Sequence, residues 1–359
     1  MPHASPGHLL NTSWSAYRLS PLHHDGEPTF LNDPDALKTY AKRLYNTLVG
    51  QVLRGLQIAV SESTAPGDAL ARAGALVGCR WDAIPTWGFV RDHPDLDEED
   101  DIHSLNDIMG ILIRIEYENV IYKAALLTGS DGYNERIRRA SSISTTHLPL
   151  LLTRMPNVLR HSLVQFLSTN FDTYCAQLRL PSAFLCATLE RYVSSILAAA
   201  DTGTSRDTAT KREIVESVIK DMHVTLSFNP DISRSLRSGD LFIPRETVAT
   251  FTLESGVRSS SGFLGALARY LKQHLAMNVN LSSNITRADR ENDASKHVWM
   301  SKASCSAFAL SIDGRIKLAA IDGTASEQPI MAGRLTPKPN EMILETWVQR
   351  AAGVEDMPT

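Results

Sequence analysis

The chain has little cysteine: four residues in 359, at Cys79, Cys175, Cys186 and Cys305. They are too few and too unevenly spaced for a disulfide scaffold or a zinc cluster, and they point to a reducing compartment, cytosol or nucleus. Long apolar runs are missing as well. None approaches the roughly 20 residues of a membrane-spanning helix, so no membrane partner is expected. The first residues show neither the basic stretch nor the apolar core of a secretory signal. No phosphate-cradling glycine loop, HExxH, CxxC or nucleophile elbow is present, and no cofactor or metal is expected. Ser217 and Lys220 satisfy S-x-x-K, but the companion motifs of that hydrolase class are missing. The eleven histidines are scattered, and in the His23-His24 pair neighbouring side chains point apart. These absences make binding a larger class than catalysis. An α+β enzyme with an unrecognised site stays open beside it, as does a nucleic-acid-associated protein.

What is there is a hydrophobic fraction of 43%, enough for a substantial core. The length suits two packed domains or one large α+β unit. A net charge of -4 argues against holding nucleic acid through overall charge, but it includes DLDEEDD at 95–101. That tract reads as a solvated loop rather than a carboxylate metal site, because no glycine turn or spaced acidic partner completes it.

Along the chain, NTSWSAYRLSPLHH (11–24) reads as a strand with a kink near Ala16 and Tyr17. Asp33-Pro34 opens a helix with Leu37, Tyr40, Ala41, Leu44 and Leu48 on one face, ending at Gly50. VLRGLQIAV (52–60) has strand length. CRWDAIPTWGFV is an irregular or edge strand because of Pro85. GILIRIEYENVIYKAALL (110–127) forms a hairpin when Glu118-Asn119 is the turn. Ile115 then faces Tyr122, Ile113 faces Ala124 and Ile111 faces Leu126, with Arg114, Glu116 and Lys123 on the opposite face. The basic stretch SDGYNERIRRASS supplies a boundary, giving an N-terminal domain 1–143 and a C-terminal domain 144–359.

Beyond it, Pro156 and Pro181 each start a helix, and between them Tyr174, Ala176, Leu178 and Leu180 alternate inward. Residues 201–210 form a polar loop. The last third reads as strands MHVTLSF, GDLFIP and VATFTL, then the helix FLGALARYLKQHLAM with serines suited to capping it. In FALSIDGRIKLAAI a three-residue loop Ile312-Asp313-Gly314 aligns Phe308, Leu310, Ile316 and Leu318, leaving Arg315 and Lys317 outside. Asn340 caps a terminal helix carrying Leu344, Trp347, Val348 and Ala351. The fold class is therefore α+β, with curved antiparallel sheets flanked by helices in two packed parts.

The opening NTSWSAYRLSPLHH resembles the start of the fungal branch of the centromere protein L family. The hairpin at 110–127, GDLFIPRETVATF, FLGALARYLKQHL and the DGRIKL hairpin follow in that family's order. The resemblance implies a structural subunit of the inner kinetochore, in the nucleus, and no enzyme. It implies a dimer with a centromere protein N-like partner, engaged through the C-terminal part, together with other inner-kinetochore subunits; the isolated chain could pair with itself. On that footing Leu344, Trp347 and Val348 are the expected partner anchors, at a DGRIKL hairpin near a sheet edge. Arg315, Lys317, Arg334 and Lys338 form the expected basic face toward the centromeric nucleosome or its DNA.

Overall fold

The computed structural model describes residues 9–24, 33–53, 70–85, 108–128, 145–201, 208–230, 236–257, 262–277, 279, 281, 298–319 and 337–353. The chain divides into two compact units. One holds Trp14–Leu178 and the chain from Trp347; the other holds Leu9–Ser13 and Arg179–Thr346. The basic stretch at 129–143 lies outside the described residues.

The first unit contains strands β1 (Thr12–Leu19, from Trp14 onward), β2 (Leu22–His23), β3 (Leu76–Pro85), β4 (Ile108–Tyr117), β5 (Ile121–Leu127), β6 (Thr145–Thr146), β7 (Leu150–Arg154) and β8 (Cys175–Gln177). Its sheet runs β1-β7-β5-β4-β3, antiparallel throughout, with β8 also on β1 and β2 pairing β6. In β1, Thr12, Trp14 and Ala16 are buried in alternation, and the phase then slips so that Leu19 is buried and Arg18 exposed. The slip falls where the sequence placed a kink.

Helix α1 (Pro34–Leu53) starts as expected, with the Asp35 N–H donating to Asp33 Oδ1 at 2.9 Å. It does not stop at Gly50. Packing of α1 against β3 outweighs the roughly 1 kcal/mol that glycine costs inside a helix. The strand expected at 52–60 is thereby corrected at its start, since residues 52 and 53 are helical; its remainder lies outside the described residues. Tyr40 of α1 sits 6.0 Å from the Trp81 ring and 4.8 Å from Phe171 of α2 (Asn157–Phe171), in a core shared with Ile111, Ile113 and Ile115.

The β4–β5 hairpin has the expected register, with Ile111, Ile113 and Ile115 opposite Leu126, Ala124 and Tyr122. Its turn is anchored: Ala75 N–H donates to Glu118 Oε2 at 3.0 Å, and Asn119 N–H donates to Ala73 O at 2.9 Å. The opposite face is only partly polar, because Leu112, Ala125 and Leu127 are also buried. Tyr174 is corrected outright. It is 74% exposed, since β8 is only three residues long and the Tyr174 backbone is held by Ser20 instead.

The second unit has strands β9 (Met222–Phe228), β10 (Ser238–Ile243), β11 (Val298–Ser304), β12 (Phe308–Ser311) and β13 (Arg315–Leu318), ordered β10-β9-β11-β12-β13. Helices α3 (Ser182–Asp201), α4 (Thr208–Val218), α5 (Arg245–Val257) and α6 (Gly262–Leu275) pack in succession, with α3 against β11. Tyr192 of α3 meets Phe308 edge-on at 4.7 Å.

VATFTL, expected as a strand, lies inside α5. Pro244 opens that helix, Asp221 Oδ1 accepts the Arg245 N–H at 3.2 Å, and Val248, Ala249, Phe251 and Thr252 are buried. The Thr250 and Thr252 hydroxyls donate to carbonyls four residues back, which satisfies residue types that otherwise favour strands. The serines that precede helix α6 lie outside the described residues. The Glu190 carboxylate, from α3, accepts the Phe263 and Leu264 N–H groups at 2.8 and 2.9 Å, placing negative charge at the positive end of the helix.

Candidate interaction surfaces

The DGRIKL hairpin adopts the three-residue loop, with Phe308 opposite Leu318, Leu310 opposite Ile316, and Gly314 at φ +75°. Phe308, Leu310, Ile316 and Leu318 are buried, while Arg315 and Lys317 are exposed. The hairpin is not a sheet edge. β13 has β12 on one side and the Leu9–Ser13 stretch on the other, where Asn11 N–H donates to Leu318 O at 2.7 Å. That neighbour is remote in sequence, which is why the hairpin looked terminal.

Register shows what shares the outer face of this sheet. One row crosses it as Lys317, Ala309, Ser304, His223 and Phe242, each opposite the next. The adjacent row holds Ser311, Lys302, Thr225 and Asp240. Lys302 is exposed and joins Arg315 and Lys317 on one basic side. Sequence reasoning missed it because β11 alternates weakly and was not recognised as a strand. Arg334 lies outside the described residues, and Lys338 falls in the first turn of the last helix with its side chain outside the description.

That helix is α7 (Pro337–Ala352), and it begins three residues before the expected cap. Asn340 is inside it, 4% exposed, with its amide donating to Ala319 O at 3.0 Å. Leu344, Trp347 and Val348 are 5%, 0% and 2% exposed. All three are buried within this chain and present no free surface.

The exposed large apolar side chains in the second unit are Phe242 at 55%, Leu236 at 47% and Leu275 at 43%. Phe242 lies on β10, which pairs with β9 on one side and with no strand on the other among the described residues. Its ring meets His223 at 5.1 Å. His274 is exposed and packs on Tyr270 at 4.4 Å.

Two grooves in the first unit offer room for a ligand. One, of about 800 Å³, lies between α1 and β3 with Lys38, Lys42, Tyr45, Cys79 and Arg80 in its lining. The other, of about 690 Å³, is lined by Tyr17, Tyr117, Arg160, His161 and Cys175. Burial pushes the Cys79 thiol up to about 12 and Cys175 to about 11. Both are therefore held protonated, the opposite of an activated nucleophile. Ser217 Oγ donates to the Ile214 carbonyl in the turn before it. His23 is exposed, whereas His24 is buried with Nε2 2.6 Å from Thr146 Oγ1, so the pair diverges. Among the described residues no group of three or more His, Cys, Asp or Glu could hold a metal ion, and no helix is long and apolar enough to cross a membrane.

No curated protein matches the chain. The family described as Centromere protein L matches residues 8–352, nearly the whole length. On that match the chain belongs to the centromere protein L family, a non-catalytic structural component of the inner kinetochore at nuclear centromeres.

Proposed function

We propose that this chain dimerises with a centromere protein N-like subunit by extending the second unit's sheet at β10, and that the adjoining face of Lys302, Arg315 and Lys317 meets the DNA of the centromeric nucleosome. The observation that carries the dimer is the β10 edge, with Phe242 55% exposed on an outer face otherwise rich in Ser, Thr and Lys. An edge strand offers a row of backbone donors and acceptors to an added strand, and side chains beside it set specificity. Without the partner, the same edge serves pairing with a second copy. Leu344, Trp347 and Val348, buried within the chain, contribute to the dimer only by keeping α7 folded. Arg334 and Lys338 extend the basic set. The opening NTSWSAYRLSPLHH supports assignment to the fungal branch.

Co-expression with the centromere protein N-like subunit, followed by affinity capture, tests the dimer. Phe242→Glu places a charge on an exposed position, so the fold should persist while affinity drops about 30-fold or more, the size of an interfacial hot spot of ~2 kcal/mol. Full-strength capture by a folded Phe242→Glu protein would place the interface elsewhere. For the basic face, the triple change Lys302→Gln, Arg315→Gln, Lys317→Gln should lower the logarithmic salt slope of DNA binding by the dimer by roughly 2.7, about 0.9 per phosphate contact.

A further inference from the structure

Across the sheet of the first unit, four cations stand directly opposite one another. Arg80 of β3 is opposite Arg114 of β4, Arg114 is opposite Lys123 of β5, and Lys123 is opposite Arg154 of β7. Like charges placed opposite one another weaken a sheet, so the fold gains nothing from the row. Asp82 supplies one counter-charge. Its Oδ2 accepts from Arg114 Nε and Nη2 at 3.1 and 2.5 Å, and its Oδ1 lies 4.0 Å from Arg80. Among the described residues neither Lys123 nor Arg154 has an ion-pair partner. Burial, then the charges of Arg154 and Arg114, hold the Lys123 ammonium below its ordinary range. Four cations face one bonded carboxylate, and Glu116 flanks Arg114 on the same face, so the row keeps an excess of positive charge.

The shape of the row narrows what can neutralise it. Its ends stand out, Arg80 being 52% exposed and Arg154 exposed, while Arg114 at 22% and Lys123 are recessed between them. Adjacent strands are spaced about 4.8 Å, so four strands carry the row over ~14 Å. In an extended peptide, side chains on one face recur every ~6.6–7 Å, and three at alternate positions span ~13–14 Å. We propose that the Arg80–Arg114–Lys123–Arg154 row binds an extended acidic segment of a partner protein, carrying three carboxylates at alternate positions. A narrow chain reaches the recessed middle of the row, which a broad duplex would bridge. Same-face neighbours along the four strands are aliphatic, glycine or acidic, Ile121 and Leu152 among them beside Leu112, Glu116 and Ala125, so these strands provide no aromatic platform there for an unstacked base.

The test uses the full chain and a fluorescein-labelled (Ser-Glu)6 peptide, with (Ser-Gln)6 as control, followed by anisotropy at low salt. Wild type should bind the acidic peptide and not the control. Lys123→Gln with Arg154→Gln should weaken binding at least tenfold without lowering the melting temperature, because the change relieves repulsion. Arg315→Gln with Lys317→Gln should leave it unchanged, which separates this row from the basic face of the second unit. Unchanged affinity in the Lys123/Arg154 variant would overturn the proposal. So would a DNA duplex that binds through these two residues more tightly than the peptide, which would make the row a nucleic-acid site. Peptide binding that emerges only after deletion of residues 95–101 would equally overturn it, because the chain's own acidic tract would then be the occupant.

Discussion

Changing Asp82 to Asn keeps the volume of the side chain and removes the one carboxylate bonded to the cation row. Asp82 is 8% exposed and Arg114 22%, so their pair lies between a surface ion pair, worth 0–1 kcal/mol, and a buried one, whose breakage costs 3–5. The Coulomb attraction at ~3 Å and an effective dielectric near 20 is about 5–6 kcal/mol, and desolvation offsets roughly half of it. A loss of about 2–3 kcal/mol follows. For a unit of this size each kcal/mol moves the midpoint by about 2–4 °C, so thermal unfolding should fall by ~4–12 °C. Adding Lys123→Gln to Asp82→Asn should restore roughly 0.5–1 kcal/mol, since one of the now uncompensated charges is gone. Circular dichroism melts of the single and double variants measure both quantities. A single variant within ~1 °C of wild type, or a double variant less stable than the single, would refute the reasoning.

Glu190→Gln retains shape but loses the charged acceptor at the start of α6, and should cost about 1–2 kcal/mol in urea unfolding. Trp347→Ala empties a fully buried site and should cost roughly 3–5 kcal/mol, lowering partner capture only in step with the folded fraction. Alkaline pH should destabilise the fold. Burial raises Cys79 and Cys186 from 9.0 to about 12, Cys175 and Cys305 to about 11, and Tyr117 from 10.0 to about 12. The unfolded chain therefore releases these protons first, so stability is intact below pH 9 and declines as pH rises toward 12, as denaturant midpoints across that range will show. In the native protein at pH 8, iodoacetamide should label these thiols far more slowly than it does after unfolding.

Local chemistry was legible in the sequence where it decides structure. The 110–127 and 308–318 hairpins followed from side-chain alternation and from turn residues at fixed offsets, and the Asp33-Pro34 start followed from capping. Misreadings arose where a distant partner decides. VATFTL has strand-like residues, yet Pro244, Asp221 and a buried stripe make it helical. The weak alternation of β11 hid Lys302, and β13 lost its expected edge to residues 9–13. Trp347 looks the same in sequence whether it seals a core or meets a partner; its burial here shows that the chain itself covers it. The four-cation row needed the register of four strands, because Arg80, Arg114, Lys123 and Arg154 are unremarkable one at a time.

Hydrogen exchange of the chain alone and in complex with a centromere protein N-like subunit tests the central claim most directly, because strand addition converts open backbone groups into ladder bonds. The account predicts that amides of Ser238–Ile243 gain protection in the complex, with the gain lost in Phe242→Glu. A stable complex in which those amides exchange as they do in the isolated chain, while protection rises at another surface, would contradict it.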